Sequence, residues 1–154
     1  MRKTVIAGVG NVLMKDEGAG PKAVEMLSKR SLPGDVELVD AGVMPFEALA
    51  GRGPARLILV DAARGGGAPG TVYVYRGGID GLEACRRPLS LHDADLPRAL
   101  AELALAGEEW SKMVLFGIEP EDVAPGEELS PPVERALAAV VEAVEQEVVS
   151  GRQT

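Results

Sequence analysis

Cysteine is nearly absent. Cys85 stands alone, so no internal disulfide can form, and a single incidental thiol fits a reducing cytoplasm. Histidine is as scarce, with His92 the only one. No apolar run approaches the length of a membrane span, so no membrane insertion is expected. Met1-Arg2-Lys3 leads into only a short apolar run before Gly8, which does not make a signal peptide. Positive charge is the minority sign: 16 Lys and Arg against 24 Asp and Glu leave a net charge of -8 at pH 7. That balance disfavours nucleic acid and anionic lipid as partners and suits cation binding.

Phosphate-binding loops are missing as well, although one stretch resembles them at first sight. Gly8-Val9-Gly10-Asn11 follows the apolar run Val5-Ile6-Ala7, but the place of the third glycine in a dinucleotide fingerprint is Leu13. No Gly-Lys-Ser/Thr follows, and Asp16 and Glu17 put negative charge where a pyrophosphate would need a bare helix N-terminus. No nucleotide or flavin cofactor is therefore expected. A flavodoxin-like nucleotide-binding domain stands as an alternative that flavin absorbance or nucleotide binding would reveal. The glycines read instead as a tight turn with close backbone packing, which leaves the acids as the informative part.

What the chain does contain is alternation. Its 154 residues, 46% hydrophobic, suit one domain over residues 1–149, with 150–154 as a frayed tail. Strands are expected at Thr4 to Gly8, Val36 to Val39, Leu57 to Val60, Thr71 to Tyr75 and Lys112 to Phe116. Helices are expected at Ala19 to Lys29, Pro45 to about Ala50, Asp93 to Ala106 and Pro131 to Val149. The third of these should bury Leu96, Leu100, Leu103 and Ala104, and the last Val133, Leu137, Val140, Val141, Val144 and Val148. Residues 76–91 are the least patterned. The order predicts a three-layer α/β/α sandwich around a five-stranded, mostly parallel mixed sheet. Between Asp61 and Thr71 there is no room for a crossover helix, so the fourth strand should be antiparallel, at an edge.

Topology then gathers the ionisable groups. Ligands of open α/β sheets bind at the carboxyl ends of the strands, where strand order reverses. Glu17 follows the first strand, Asp61 closes the third, and His92 opens the helix that leads to the fifth. Asp16 and Asp40 come to the same edge. Two carboxylates and an imidazole suit a divalent transition metal, nickel, zinc or copper. Acid/base work by a carboxylate pair is the alternative. Each residue also has an ordinary explanation: Asp61 binding loop amides, Asp16 as a turn residue or N-cap of the first helix, Asp40 as a turn former before Gly42, His92 as a helix-start residue.

At these residues the chain resembles a known family. Gly8-Val9-Gly10-Asn11, Asp16-Glu17-Gly18 and Gly20 look like the N-terminal signature of the [NiFe]-hydrogenase maturation endopeptidases. Asp40-Ala41-Gly42 with Pro45, Val60-Asp61-Ala62, Pro69-Gly70-Thr71, Ser90-Leu91-His92, Gly117-Ile118-Glu119-Pro120 and Leu129-Ser130 continue the likeness in order. The resemblance implies a phosphorylase/hydrolase-like fold and an aspartyl-type or metal-dependent endopeptidase activity. The substrate it implies is the precursor of a [NiFe]-hydrogenase large subunit, whose C-terminal extension is cut off once nickel has been inserted. Glu17, Asp61 and His92 would contact that nickel, carried by the precursor, as a recognition check. Asp16, Asp40 or Asp61 would supply the catalytic carboxylate. A non-catalytic nickel-binding accessory protein fits the same ligand set. A cytoplasmic monomer is the expected state. One departure is visible: where the family's second loop often continues with a small hydroxyl residue, this chain has Val43.

Overall fold

The protein is described from a computed structural model that covers residues 3–53, 55–78, 90–91, 95–107 and 110–152. Among the described residues there are six strands, β1 (Thr4–Val9), β2 (Val36–Gly42), β3 (Ala55–Arg64), β4 (Val72–Gly77), β5 (Ser90–Leu91) and β6 (Trp110–Ile118), and four α-helices. These are α1 (Ala19–Ser28), α2 (Pro45–Leu49), α3 (Asp95–Leu105) and α4 (Pro131–Arg152), and a short 3-10 turn, Lys15–Gly18, precedes α1. The main sheet has the order β2-β1-β3-β6-β4. Its first four members are parallel, whereas β4 runs antiparallel to β6 at the edge, as the short connection after Asp61 requires. The two-residue β5 lies off this path, antiparallel to the end of β3.

Every residue of β1 is buried, the pattern of a central strand covered on both faces. On one face Ile6, Ile58, Val60 and Phe116 pack against Ala23 and Leu27 of α1 and Val133, Leu137, Val140 and Val144 of α4. On the other, Val5, Leu57, Leu59 and Leu115 pack against Leu49 of α2 and Leu96, Leu100 and Leu103 of α3. Pro45 opens α2, where its fixed φ suits the first turn.

Four expectations need correction. Strand β3 does not stop before Asp61 but runs through Arg64, because Ala63 and Arg64 find partners in Leu91 and Ser90. That pairing also makes a strand of two residues in the unpatterned 76–91 stretch. In α3 it is Ala99, 4% exposed, that joins the buried stripe, while Ala104 is exposed. Finally, Ser150, Gly151 and Arg152 continue α4 rather than fraying. Arg56 on β3 holds that end: its guanidinium donates to the Glu147 carbonyl at 2.7 Å and pairs with the Glu147 carboxylate at 2.6 Å. Cys85 and His92 lie outside the described residues.

Candidate active site

The turn after β1 is shaped by backbone packed against backbone. A Cβ on Gly8 would drive into the Gly20 carbonyl, and one on Gly20 into the carbonyls of Val9 and Val60. Only glycine lets the start of α1 sit directly on the ends of β1 and β3 at these two positions. The 3-10 turn carrying Asp16 and Glu17 thereby packs against β3. Lys15 within it holds φ +46°, a costly region for a side chain with a Cβ. Its neighbours fix it there: the Lys15 amide donates to the Gly126 carbonyl at 2.8 Å, and its ammonium pairs with Asp122 at 2.8 Å. That hydrogen bond raises the Lys15 pKa above its ordinary value and lowers that of Asp122.

Asp16 is fully buried, and both of its oxygens are engaged. Oδ2 accepts from the amides of Glu121 and Asp122 at 2.8 and 2.9 Å and from the Ser130 hydroxyl at 2.8 Å. Oδ1 accepts from the Ser130 amide at 2.8 Å. The Asp16 amide in turn donates to the Asp122 carbonyl at 3.0 Å. No side chain caps α1, so Asp16 is not its N-cap; the carboxylate instead clasps the 119–130 loop and the entry to α4. Glu17, the next residue, is half-buried, and its amide donates to the Met14 carbonyl at 3.1 Å.

Asp61 is 1% exposed, and its Oδ1 accepts from the following amide, that of Ala62, at 2.8 Å. Strand alternation puts it with Leu59 and Ala63 on the α2 and α3 side of the sheet. Asp40 is exposed, and its Oδ1 accepts from the Gly42 amide at 3.1 Å, an Asx turn that suits the φ of +52° at Gly42. It aligns with Gly8 and, across β1, with Val60, so alternation sends Asp40 and Asp61 to opposite faces of the same edge. The third member of the expected metal trio, His92, is outside the described residues. Leu91, the residue before it, pairs with Ala63, two residues beyond Asp61. The chain has thus returned to the carboxyl edge by that point. Among the described residues no three His, Cys, Asp or Glu side chains gather in a metal-holding group.

Sequence reasoning assigned no role to Glu119. It is 5% exposed, and its Oε1 accepts from the Gly65 amide at 2.8 Å and the Tyr73 hydroxyl at 2.7 Å. Burial pushes the carboxyl up, but the amides of Gly65, Gly66 and Gly67 and the Tyr73 hydroxyl outweigh it, and the pKa falls below its ordinary value. Glu119 therefore ties down the glycine loop that follows Asp61 and β3. The one available signal was an acid directly after a buried strand, followed by Pro120.

The hydrogenase maturation protease family model, HycI, matches residues 21–147. The hydrogenase 2 maturation protease of Escherichia coli K12 is 34% identical over 146 residues, covering 92% of this chain and 88% of its own. The hydrogenase expression/formation protein HupD of Rhodobacter capsulatus is 32% identical over 154 residues, covering 94% and 70%. Among solved structures, the hydrogenase maturating endopeptidase HybD from E. coli superposes with a TM-score of 0.84 at 32% identity, over 97% of this chain and 93% of that one. The hydrogenase 2 maturation peptidase from Thaumarchaeota archaeon SCGC_AB-539-E09 gives 0.70 at 30% identity, over 96% and 98%. The mixed sheet agrees with these likenesses: the chain belongs to the hydrogenase maturation protease family, and it is a peptidase.

Proposed function

We propose that the chain is an endopeptidase that removes the C-terminal extension of a nickel-loaded [NiFe]-hydrogenase large-subunit precursor. The observation that supports this is the packing of the Glu17 turn against β3, the strand that bears Asp61, with β5 pairing to the end of that strand one residue before His92. Two carboxylates and an imidazole are donors that suit nickel. Glu17, Asp61 and His92 take open positions on the nickel that the precursor carries, and so admit only loaded precursor. Asp40 is the acid left to the chemistry. Asp16 has its acceptor sites filled by loop amides and a hydroxyl, whereas Asp40 is exposed. Its carboxylate takes a proton from a water poised on the scissile carbonyl and returns it to the leaving amine. Incubation with nickel-loaded precursor tests this. Wild type shortens the precursor, while folded Glu17→Ala, Asp61→Ala and His92→Ala proteins do not. Full cleavage by the His92→Ala protein would sink the trio, and a stable uncut complex with wild type would favour a nickel-binding accessory protein.

A further inference from the structure

Half of the large apolar side chains left exposed among the described residues sit on two neighbouring loops. Val12 and Leu13, 41% and 59% exposed, follow β1, and Val43 and Met44, 54% and 56% exposed, follow β2. The loops issue from adjacent parallel strands and are joined by the Gly10 amide, which donates to the Gly42 carbonyl at 2.8 Å. Asp40 and Glu17 flank them. Val43 and Met44 also form one end of a groove of about 350 Å³ between α2 and α3, lined further by Phe46, Glu47, Arg98 and Glu102. This groove lies on the face of the sheet that holds Asp61. Folding leaves these four side chains in water, although burying each would be favourable.

The charge around the rim is one-sided. Arg98 is neutralised by Glu102 at 3.0 Å, while among the described residues Glu47 has no ion pair and the Asp40 carboxylate accepts from the Gly42 backbone amide. Among the described residues the surface is thus apolar with unbalanced negative charge, and its Val43 and Met44 end follows the strand that bears Asp40. Its complement is an extended segment bearing apolar side chains and a cation.

We infer that the rim of Val12, Leu13, Val43 and Met44, continued by the α2–α3 groove, docks an apolar, positively charged segment of the precursor beside the bond to be cut. The inference rests on the endopeptidase function proposed above. It gives Val43, 54% exposed, a role in the choice of precursor. The segment's apolar side chains cover Val43, Met44 and Leu13, and its cation meets Glu47.

Steady-state cleavage of the nickel-loaded precursor, paired with calorimetric binding of the same precursor, tests this. The Val43→Ser/Met44→Ser protein should raise KM about tenfold or more and leave kcat within about twofold, because docking contacts act equally on ground and transition states. Glu47→Lys should weaken binding and reverse its salt dependence. Val149→Ser, an exposed apolar change on α4, should alter neither constant. An unchanged KM in the double variant overturns the inference. So does wild type that sediments as a dimer while the double variant is monomeric with an unchanged KM, since the rim then covers a second copy. If wild type binds precursor without cutting it and the double variant loses that binding, the endopeptidase reading fails and the docking surface stands.

Discussion

Four hydrogen bonds converge on the Asp16 carboxylate, three from backbone amides and one from the Ser130 hydroxyl, and they leave it no free acceptor for a water. Asp16 and Asp40 are therefore separable by experiment. Asp16→Asn turns one acceptor into a donor that faces donors, which should cost about 2–4 kcal/mol of stability in urea unfolding. Asp40→Asn, at an exposed Asx turn, should leave stability within about 1 kcal/mol and lower kcat by about a hundredfold or more. If Asp16→Asn unfolds at the wild-type urea concentration, the clasp is not what holds the Glu17 turn. Both residues read alike in sequence, as acids beside glycine near a strand end. What distinguishes them is the 119–130 loop, more than a hundred residues from Asp16, which supplies the Asp16 partners.

At the scale of elements, the end of β3 and the glycine loop beyond it depend on Glu119. Its folded pKa lies below the ordinary 4.5. A depressed carboxyl pKa stabilises the fold above the unfolded value, and that stabilisation is lost as pH falls through the folded value. The partner, Tyr73, is shifted the other way, raised by burial and by Glu119, so its contribution is present below the ordinary 10.0 and fades above the raised value. The gap in Tm between wild type and Glu119→Gln should accordingly be full at neutral pH and close on acidification below about pH 4.5. A gap that stays constant from neutral pH to pH 3 would rule out the ionised Glu119 as the tie. This device was legible only in outline: Gly65-Gly66-Gly67 signals a loop, but the acceptor of the Gly65 amide is set only when β6 brings Glu119 alongside.

Across the whole molecule, stability should be graded from the centre of the sheet outward. Strand β1 is buried throughout and paired on both sides, and β3 likewise lies between β1 and β6. Strand β4 is an edge with exposed positions at Val72 and Val74. In native-state hydrogen exchange, the amides of β1 and β3 should open only with global unfolding, and those of β4 at lower free energy. Equal protection of β4 and β3 would mean that a partner covers that edge. Among the described residues no helix is long and apolar enough to cross a membrane.

Local pattern was enough for the strand and helix types and the antiparallel edge strand. Apolar runs such as Leu57-Ile58-Leu59-Val60 and the stripe of α4 carry their own periodicity, and a connection too short for a helix limits the topology. Tertiary contacts decided the rest. β3 outlasted the apolar run because β6 pairs with Asp61 and Ala62 and β5 with Ala63 and Arg64, and α4 runs past its stripe to Arg152 with Arg56 bound to Glu147 near that end. Asp16 became a clasp rather than a cap because its partners lie on a distant loop. Hydrophobic periodicity is a property of neighbours in the chain, whereas the partner of a buried carboxylate or a strand end is set by which distant backbone the fold brings within hydrogen-bond reach.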